Sequence, residues 1–286
     1  MTQHPKHYLD PGLYIVATPI GNARDITLRA LDVLGNADLV LCEDTRVTSK
    51  LFAIHGLKTP LRAYHEHNAA AERPKVIARI ADGATIALVS DAGTPLISDP
   101  GYKLVRALVE EDLPVTSLPG ASSVMAALTL AALPTDRFFF AGFLPPKQAA
   151  RRAALEEFQS LTASLVFLES PRRLGAMLAD AATVLGERHI SVARELTKKF
   201  EEIRRGTAAE LAEHYAEAGA PKGEVVVVIG PPEGETVIDE TAIDELLRKA
   251  LGQHSLKDAV AAVTGATGLK RREVYARALD LSKNEV

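Results

Sequence analysis

The sequence predicts an α/β protein, with two α/β domains followed by a small helical C-terminal region. Short β-rich apolar runs alternate with helix-period segments through most of the chain. The 286 residues are 47% hydrophobic and 24% charged, which is ordinary globular composition, and at about 100–200 residues per domain they suffice for two cores. Pro and Gly interrupt the pattern at Leu133-Pro134-Thr135-Asp136 and at Gly230-Pro231-Pro232-Glu233-Gly234, where neither strand nor helix can continue. The implied parts are 1–134, 135–231 and 235–286.

The first part opens with a strand at Leu13–Thr18 and a helix at Ile26–Leu34, which has Thr27 near its start and Gly35 as its stop. Strand Leu39–Cys42 follows, then helix Arg73–Ala81, which ends at Asp82-Gly83. Strand Thr85–Val89, helix Tyr102–Glu110, strand Val115–Leu118 and helix Ser122–Leu130 complete it. In the second part, strands at Phe138–Phe143, Leu165–Leu168, Ile190–Ala193 and Glu224–Ile229 alternate with helices at Lys147–Phe158, Arg172–Leu185 and Thr207–Ala218. Strand-helix alternation predicts largely parallel sheets. The tail has no strand signal, only apolar-periodic stretches at Ala242–Leu251 and Leu256–Val263 and a basic one around Lys270–Leu279. No internal repeat is present.

A single cysteine excludes a disulfide scaffold; Cys42, inside the run Leu39-Val40-Leu41-Cys42, is expected to be a small buried hydrophobe in a reducing cytosol. The segment Met1–Asp10, with His4, Lys6 and His7, lacks the apolar core of a signal peptide, and no apolar run approaches the about 18 residues of a membrane span. A cytoplasmic protein with no membrane association is expected. The net charge of −4, from 33 Lys+Arg against 37 Asp+Glu, argues against a general polyanion binder. Basic residues nevertheless gather at Lys147, Arg151 and Arg152, at Arg172 and Arg173, at Lys198 and Lys199, at Arg204 and Arg205, and at Lys270–Arg272. Solvated helical faces explain any one group, whereas together they suggest a polyanionic partner. Within Ser255–Leu281, two helical stretches around Thr264–Gly268 suit either a helix-turn-helix-like pair with a basic second helix or a cap packed on the main body.

An open parallel sheet delivers ligands to the loops at its carboxyl edge. Three such loops are unusual: Thr18–Asp25, Ser90–Tyr102 and Pro119–Ser123. Gly and Pro in them permit sharp turns and close approach to a ligand, and Asp, Ser and Thr supply fixed hydrogen-bonding partners. Tight strand-to-helix turns explain each singly; three together favour a pocket. None is a Walker loop or a Gly-x-Gly-x-x-Gly fingerprint, so ATPases and nicotinamide enzymes lose their main support. Glu43-Asp44-Thr45-Arg46, at a strand end, suits substrate or proton handling, or an N-cap with a surface ion pair. His65 and His67 flank Glu66 but have no further ligand group at metal spacing, which leaves proton transfer or phosphate contact and no metal.

Leu13-Tyr-Ile-Val-Ala-Thr-Pro-Ile-Gly-Asn22, Glu43-Asp-Thr-Arg46, Tyr64-His-Glu-His-Asn68, Ser90-Asp-Ala-Gly-Thr-Pro95, Ser98-Asp-Pro-Gly-Tyr102, Leu133-Pro-Thr-Asp-Arg137 and Arg194-Glu-Leu-Thr-Lys-Lys-Phe200 occur in this order. Over about residues 12–230 the chain thereby resembles the bacterial 16S rRNA (cytidine-2'-O)-methyltransferase I family of the tetrapyrrole methylase superfamily. It departs at Glu169-Ser-Pro-Arg-Arg173, where the pattern has His in place of Arg172. The resemblance implies a class III methyltransferase fold, a homodimer, and S-adenosylmethionine bound between two α/β domains. The implied substrate is a cytidine ribose 2'-hydroxyl in 16S rRNA of the small ribosomal subunit.

By the same resemblance the cofactor contacts are Pro19, the loop Ser90, Asp91, Ala92, Gly93 and Thr94, then Ile97, Ser98, Ser122, Ser123, Phe143, Leu144, Lys222, Gly223 and Glu224. Methyl transfer depends on aligning the reactants, and a base helps a weak hydroxyl nucleophile. Glu43, Asp44 and His65 are the candidate bases, with Asn22, Asp25 and Arg46 orienting the nucleotide. The same scaffold could instead methylate a tetrapyrrole-like small molecule, or serve as a non-enzymatic RNA-assembly factor.

Overall fold

The computed structural model describes residues 8–232, 240–267, 269 and 271–284. Residues His4, Lys6, His7, Gly234 and Lys270 therefore lie outside the described residues. The first sheet is wholly parallel and contains β1 (Gly12–Val16), β2 (Leu39–Cys42), β3 (Leu61–Ala63), β4 (Thr85–Leu88) and β5 (Val115–Leu118) in the order β3-β2-β4-β1-β5. Helices α1 (Leu28–Asn36), α2 (Thr45–His55), α3 (Ala69–Ala81), α4 (Tyr102–Glu110) and α5 (Ser123–Leu130) follow the strands.

β2 and β4 are buried at every position, as central strands covered on both faces must be. Val16, Val40 and Ala87 pack with Val33, Leu34 and Phe52 on one face, and Leu13, Leu41 and Ile86 pack with Val76, Ile80 and Leu104 on the other. Cys42 is among the buried apolar residues, and burial pushes its thiol up. Two elements lack a signal in the sequence. β3 is a three-residue edge strand, Leu-Arg-Ala, too short for a pattern. α2 is entered through Asp44, whose side chain caps the Arg46 N–H.

The second sheet contains β6 (Phe138–Phe143), β7 (Ser164–Glu169), β8 (His189–Arg194), β9 (Glu202–Thr207) and β10 (Val225–Ile229) in the order β6-β7-β10-β8-β9. Only the β6–β7 pair is parallel; the other three pairs are antiparallel, against the expectation of a largely parallel sheet. Helices α6 (Gln148–Glu156), α7 (Pro171–Leu185) and α8 (Ala208–Ala218) do join strands of like direction. The hairpin β8–β9 reverses the chain, so β10 returns antiparallel between β7 and β8. β9, Glu-Ile-Arg-Arg-Gly-Thr, is an edge strand and carries no apolar run.

Contacts divide the chain after Pro232, with both sheets inside the first unit. The second unit holds α9 (Glu240–Leu251), α10 (Leu256–Thr267) and α11 (Arg271–Asn284) around a core of its own, including Leu247, Val260, Val263, Val274 and Ala278. Among the described residues no helix is long and apolar enough to cross a membrane.

Candidate active site

The five strands of the first sheet end on one edge, and the loops leaving β1, β4 and β5 are tied together there. The Thr18 N–H donates to the Gly93 carbonyl at 2.9 Å and the Gly93 N–H donates back to Thr18 at 2.9 Å. Thr18 Oγ1 donates to the Ser90 carbonyl at 3.1 Å, and Thr94 Oγ1 to the Ala121 carbonyl at 3.0 Å. The Ser90 hydroxyl turns inward to the carbonyls of Ala92 and Gly93, 3.2 Å from each. Gly93 holds φ +82, and a Cβ there would lie 3.3 Å from Ile20 Cγ2. The strand-end loops therefore converge, as their composition implied.

Each sheet contributes to a cavity of about 380 Å³, within the range of small-molecule sites. The first-sheet half supplies Ile20, Ala92 and Ser123; the second supplies Phe143, Leu168, Glu169, Pro171, Leu196, Gly223, Glu224 and Val225, among others. Backbone strain gathers around it: Leu96, Ser98, Glu195 and Thr197, none of them glycine, hold φ between +50 and +72. Gly223, at φ +97, allows its backbone to pass the Glu195 side chain; a Cβ would come within 2.2 Å of the carboxyl carbon. The Asn22 N–H donates to Thr197 Oγ1 at 3.2 Å, joining the β1 loop to the β8–β9 turn.

Of the expected cofactor contacts, Ala92, Ser123, Phe143, Gly223 and Glu224 line the cavity. Ser90, Gly93 and Thr94 hold the loops to one another, and Ser122 caps α5 by accepting from the Met125 N–H. Leu144 is buried in the second core, and its carbonyl accepts from Arg173. Lys222 is exposed, and its carbonyl accepts from Arg194. Ile97 is exposed, Pro19 is half-buried, and Ser98 sits where a Cβ on Gly142 would come within 3.3 Å of its Oγ. The lining residues Glu169, Ser170 and Pro171 were missed; the unusual string Glu169-Ser-Pro-Arg-Arg173 was the available signal.

The substrate candidates occupy the β2 and β3 end of the same edge. Asp44 is fully engaged: its carboxylate caps α2 and meets Arg46 Nη2 at 2.6 Å, and these bonds hold it down to about 2. That bond set describes a cap and surface ion pair, not a proton acceptor. The Asp44 N–H donates to Asp91 Oδ1 at 3.0 Å, which joins the β2 end to the β4 loop. Glu43, Asp25 and Arg46 are exposed, and Asn22 caps a short 3₁₀ turn at Ala23–Asp25. His65 keeps its backbone N–H on Asn68 Oδ1 at 2.8 Å, and its Nδ1 is buried with no hydrogen-bond partner. Asp99 was not singled out from sequence. Burial, reinforced by Glu43, pushes its carboxyl up to about 6, against a hydrogen bond from Ser90.

Much of the expected basic wall is consumed internally. Arg151 is buried on Asp180 at 2.6 Å, and Arg152 shares that carboxylate at 2.7 Å. Lys198 bridges Glu195 and Glu224, Arg204 meets Glu202, and Arg205 donates to the carbonyls of Leu130 and Ala131 at the end of α5. Lys147, Arg172, Lys199, Arg271 and Arg272 remain exposed. Among the described residues no three His, Cys, Asp or Glu side chains group as a metal-ligand set.

The profile of the Tetrapyrrole (Corrin/Porphyrin) Methylases matches residues 12–212. The chain belongs to the tetrapyrrole methylase family. The profile described as RsmI C-terminal HTH domain matches residues 237–282, which favours the helix-turn-helix alternative for the tail. The chain is 48% identical to the Ribosomal RNA small subunit methyltransferase I of Mesorhizobium japonicum, covering 98% of this chain and 95% of that one. It is 52% identical to the protein of the same name in Erythrobacter litoralis, covering 97% and 98%. Uroporphyrin-III-C-methyltransferase from Thermus thermophilus shares the fold with a TM-score of 0.56 at 22% identity, over 77% of this chain and 94% of that one. Diphthine synthase does so with a TM-score of 0.59 at 15% identity, over 76% and 89%. This tetrapyrrole methylase family member is a methyltransferase, and S-adenosylmethionine is its methyl donor. The cavity fits that donor: glycines open its rim where a Cβ would intrude, one wall is apolar, and the α5 N-terminus offers backbone N–H groups.

Proposed function

We propose that this chain methylates the ribose 2'-hydroxyl of a cytidine in 16S rRNA of the small ribosomal subunit. The observation that carries this is the near-full-length similarity, at 48% and 52% identity, to proteins named Ribosomal RNA small subunit methyltransferase I. The carboxyl edge of the first sheet supports it: cofactor groups collect at β4, β1 and β5, and polar side chains free for substrate collect at β2 and β3. The working domains in this reading are 1–134, 135–231 and 235–286, with action as a cytoplasmic homodimer.

When bound, S-adenosylmethionine supplies a methyl group on a positively charged sulfur. Ala92, Ser123, Phe143, Gly223 and Glu224 would hold it, while the Thr18–Gly93 and Thr94–Ala121 ties keep the loops from reorganising. The proton of the ribose hydroxyl passes to a carboxylate or imidazole on the same edge. Glu43 and His65 remain candidates, and Asp99 joins them because ionisation near 6 leaves it deprotonated yet basic at neutral pH. Asn22, Asp25 and Arg46, with the exposed Lys147, Arg172 and Lys199, would contact the nucleotide and its phosphates.

The experiment is methyl incorporation from labelled donor into isolated small subunits, naked 16S rRNA and a tetrapyrrole, followed by nucleoside digestion. The expected product is 2'-O-methylcytidine from the small subunit or its RNA. Transfer to the tetrapyrrole alone would overturn the assignment.

A further inference from the structure

The cavity wall contains a buried carboxylate that the methyl-transfer mechanism leaves unused. Glu169 ends β7 on the strand face from which Leu165 and Phe167 enter the apolar core, and its side chain is 1% exposed. The Ser170 N–H donates to Oε1 at 2.7 Å and Arg173 Nη2 donates to Oε2 at 3.2 Å. A carboxylate offers about four acceptor positions, so roughly half of its capacity is open. A buried ion with unfilled acceptors is unfavourable unless something else meets it, and the cavity lies beside it.

The surroundings select the kind of donor. Phe143, Leu168, Pro171, Val225 and Val226 make the wall around Glu169 apolar, which suits a flat aromatic ring carrying N–H groups on its edge. The hydroxyl of Ser123 and the N-terminus of α5 lie on the first-sheet side, where a helix start attracts the carboxylate of an amino-acid moiety. We infer that Glu169 recognises the purine of the methyl donor by accepting a hydrogen bond from its exocyclic 6-amino group, and so selects adenosyl over 6-oxopurine nucleosides. Arg173 is the positioning residue: its Nη2 fixes Oε2 while also holding the Leu144 carbonyl at 2.5 Å.

The inference rests on the methyl-transfer reading, and calorimetry on the full chain separates the two. The wild type and Glu169→Gln are titrated with S-adenosylhomocysteine, with S-inosylhomocysteine, which differs only in a 6-oxo group, and with 5'-methylthioadenosine, which lacks the amino-acid end. The wild type is expected to prefer the adenosyl compound by about tenfold to a hundredfold, the usual effect of a hydrogen bond to a charged group. Glu169→Gln should shrink that preference to about threefold or less, because a carboxamide can turn its N–H to the oxo group. It should weaken S-adenosylhomocysteine and methylthioadenosine alike. A wild type that binds both purines equally overturns the inference without use of the variant. So does a variant that keeps the wild-type preference, or one that weakens S-adenosylhomocysteine but not methylthioadenosine, which would place Glu169 at the ammonium end. Failure of the wild type to bind S-adenosylhomocysteine at all would instead overturn the methyl-transfer reading.

Discussion

At Gly223 and Gly219 the same residue type does different work. Both hold positive φ, +97 and +77, but an added Cβ meets nothing within 4 Å at 219 and meets the Glu195 carboxylate at 223. That carboxylate is fixed by Lys198 Nζ at 2.7 Å and the Glu224 N–H at 3.0 Å, so it cannot step aside without losing both bonds. Gly223→Ala is therefore expected to destabilise by about 1–3 kcal/mol more than Gly219→Ala, and to weaken cofactor binding, in paired thermal melts and titrations. Asp99 gives a pH-dependent pair of outcomes. Its folded carboxyl titrates near 6 instead of 3.8, so between those values the folded state binds more protons than the unfolded chain. Stability should fall as pH rises from about 4 to about 6, and Asp99→Asn should flatten that slope in denaturant melts. If Asp99 accepts the substrate proton, kcat/KM rises across the same interval, and Asp99→Asn loses about 100-fold or more together with that limb. An unchanged acid limb would return the role to Glu43 or His65.

Between α6 and α7 a single carboxylate organises three partners. Asp180 receives Arg151, Arg152 and Gln148, and its side chain is 1% exposed. Burial pushes its carboxyl up, but the hydrogen bonds from Arg152 and Arg151 outweigh this and hold it below the ordinary value. Asp180→Ala leaves Arg151, 5% exposed, without its counter-charge, and should destabilise by about 3–5 kcal/mol in urea melts. The same pair explains why charge clusters mislead in sequence: Arg151 and Asp180 are far apart in the chain, and only packing shows that they neutralise each other. Strands at the centre of a sheet were legible because burial on both faces demands continuous apolar runs, as in Leu39–Cys42 and Val225–Ile229. Edge strands were not, since β3 and β9 satisfy half of their backbone with solvent and need no apolar pattern. Missing β9 carried a large consequence, because one unseen hairpin reverses the direction of everything after it.

For the whole molecule, the contact division after Pro232 and the separate core of α9, α10 and α11 imply a tail that can be removed without unfolding the rest. Deleting 237–286 should leave S-adenosylhomocysteine affinity within about twofold, while weakening substrate RNA binding through loss of the exposed Arg271 and Arg272; calorimetry and filter binding check the two halves. Unchanged RNA affinity would exclude a binding role for the tail. The sequence by itself determined the α/β class, the carboxyl-edge loops and the family, because apolar periodicity and Gly/Pro turn chemistry are local properties written residue by residue. Only the tertiary structure decided which loop residues line the cavity and which merely tie it together, which basic side chains face outward, and that Glu169 and Asp99 are buried carboxylates. Those outcomes depend on desolvation and on partners distant in sequence, which no local pattern records.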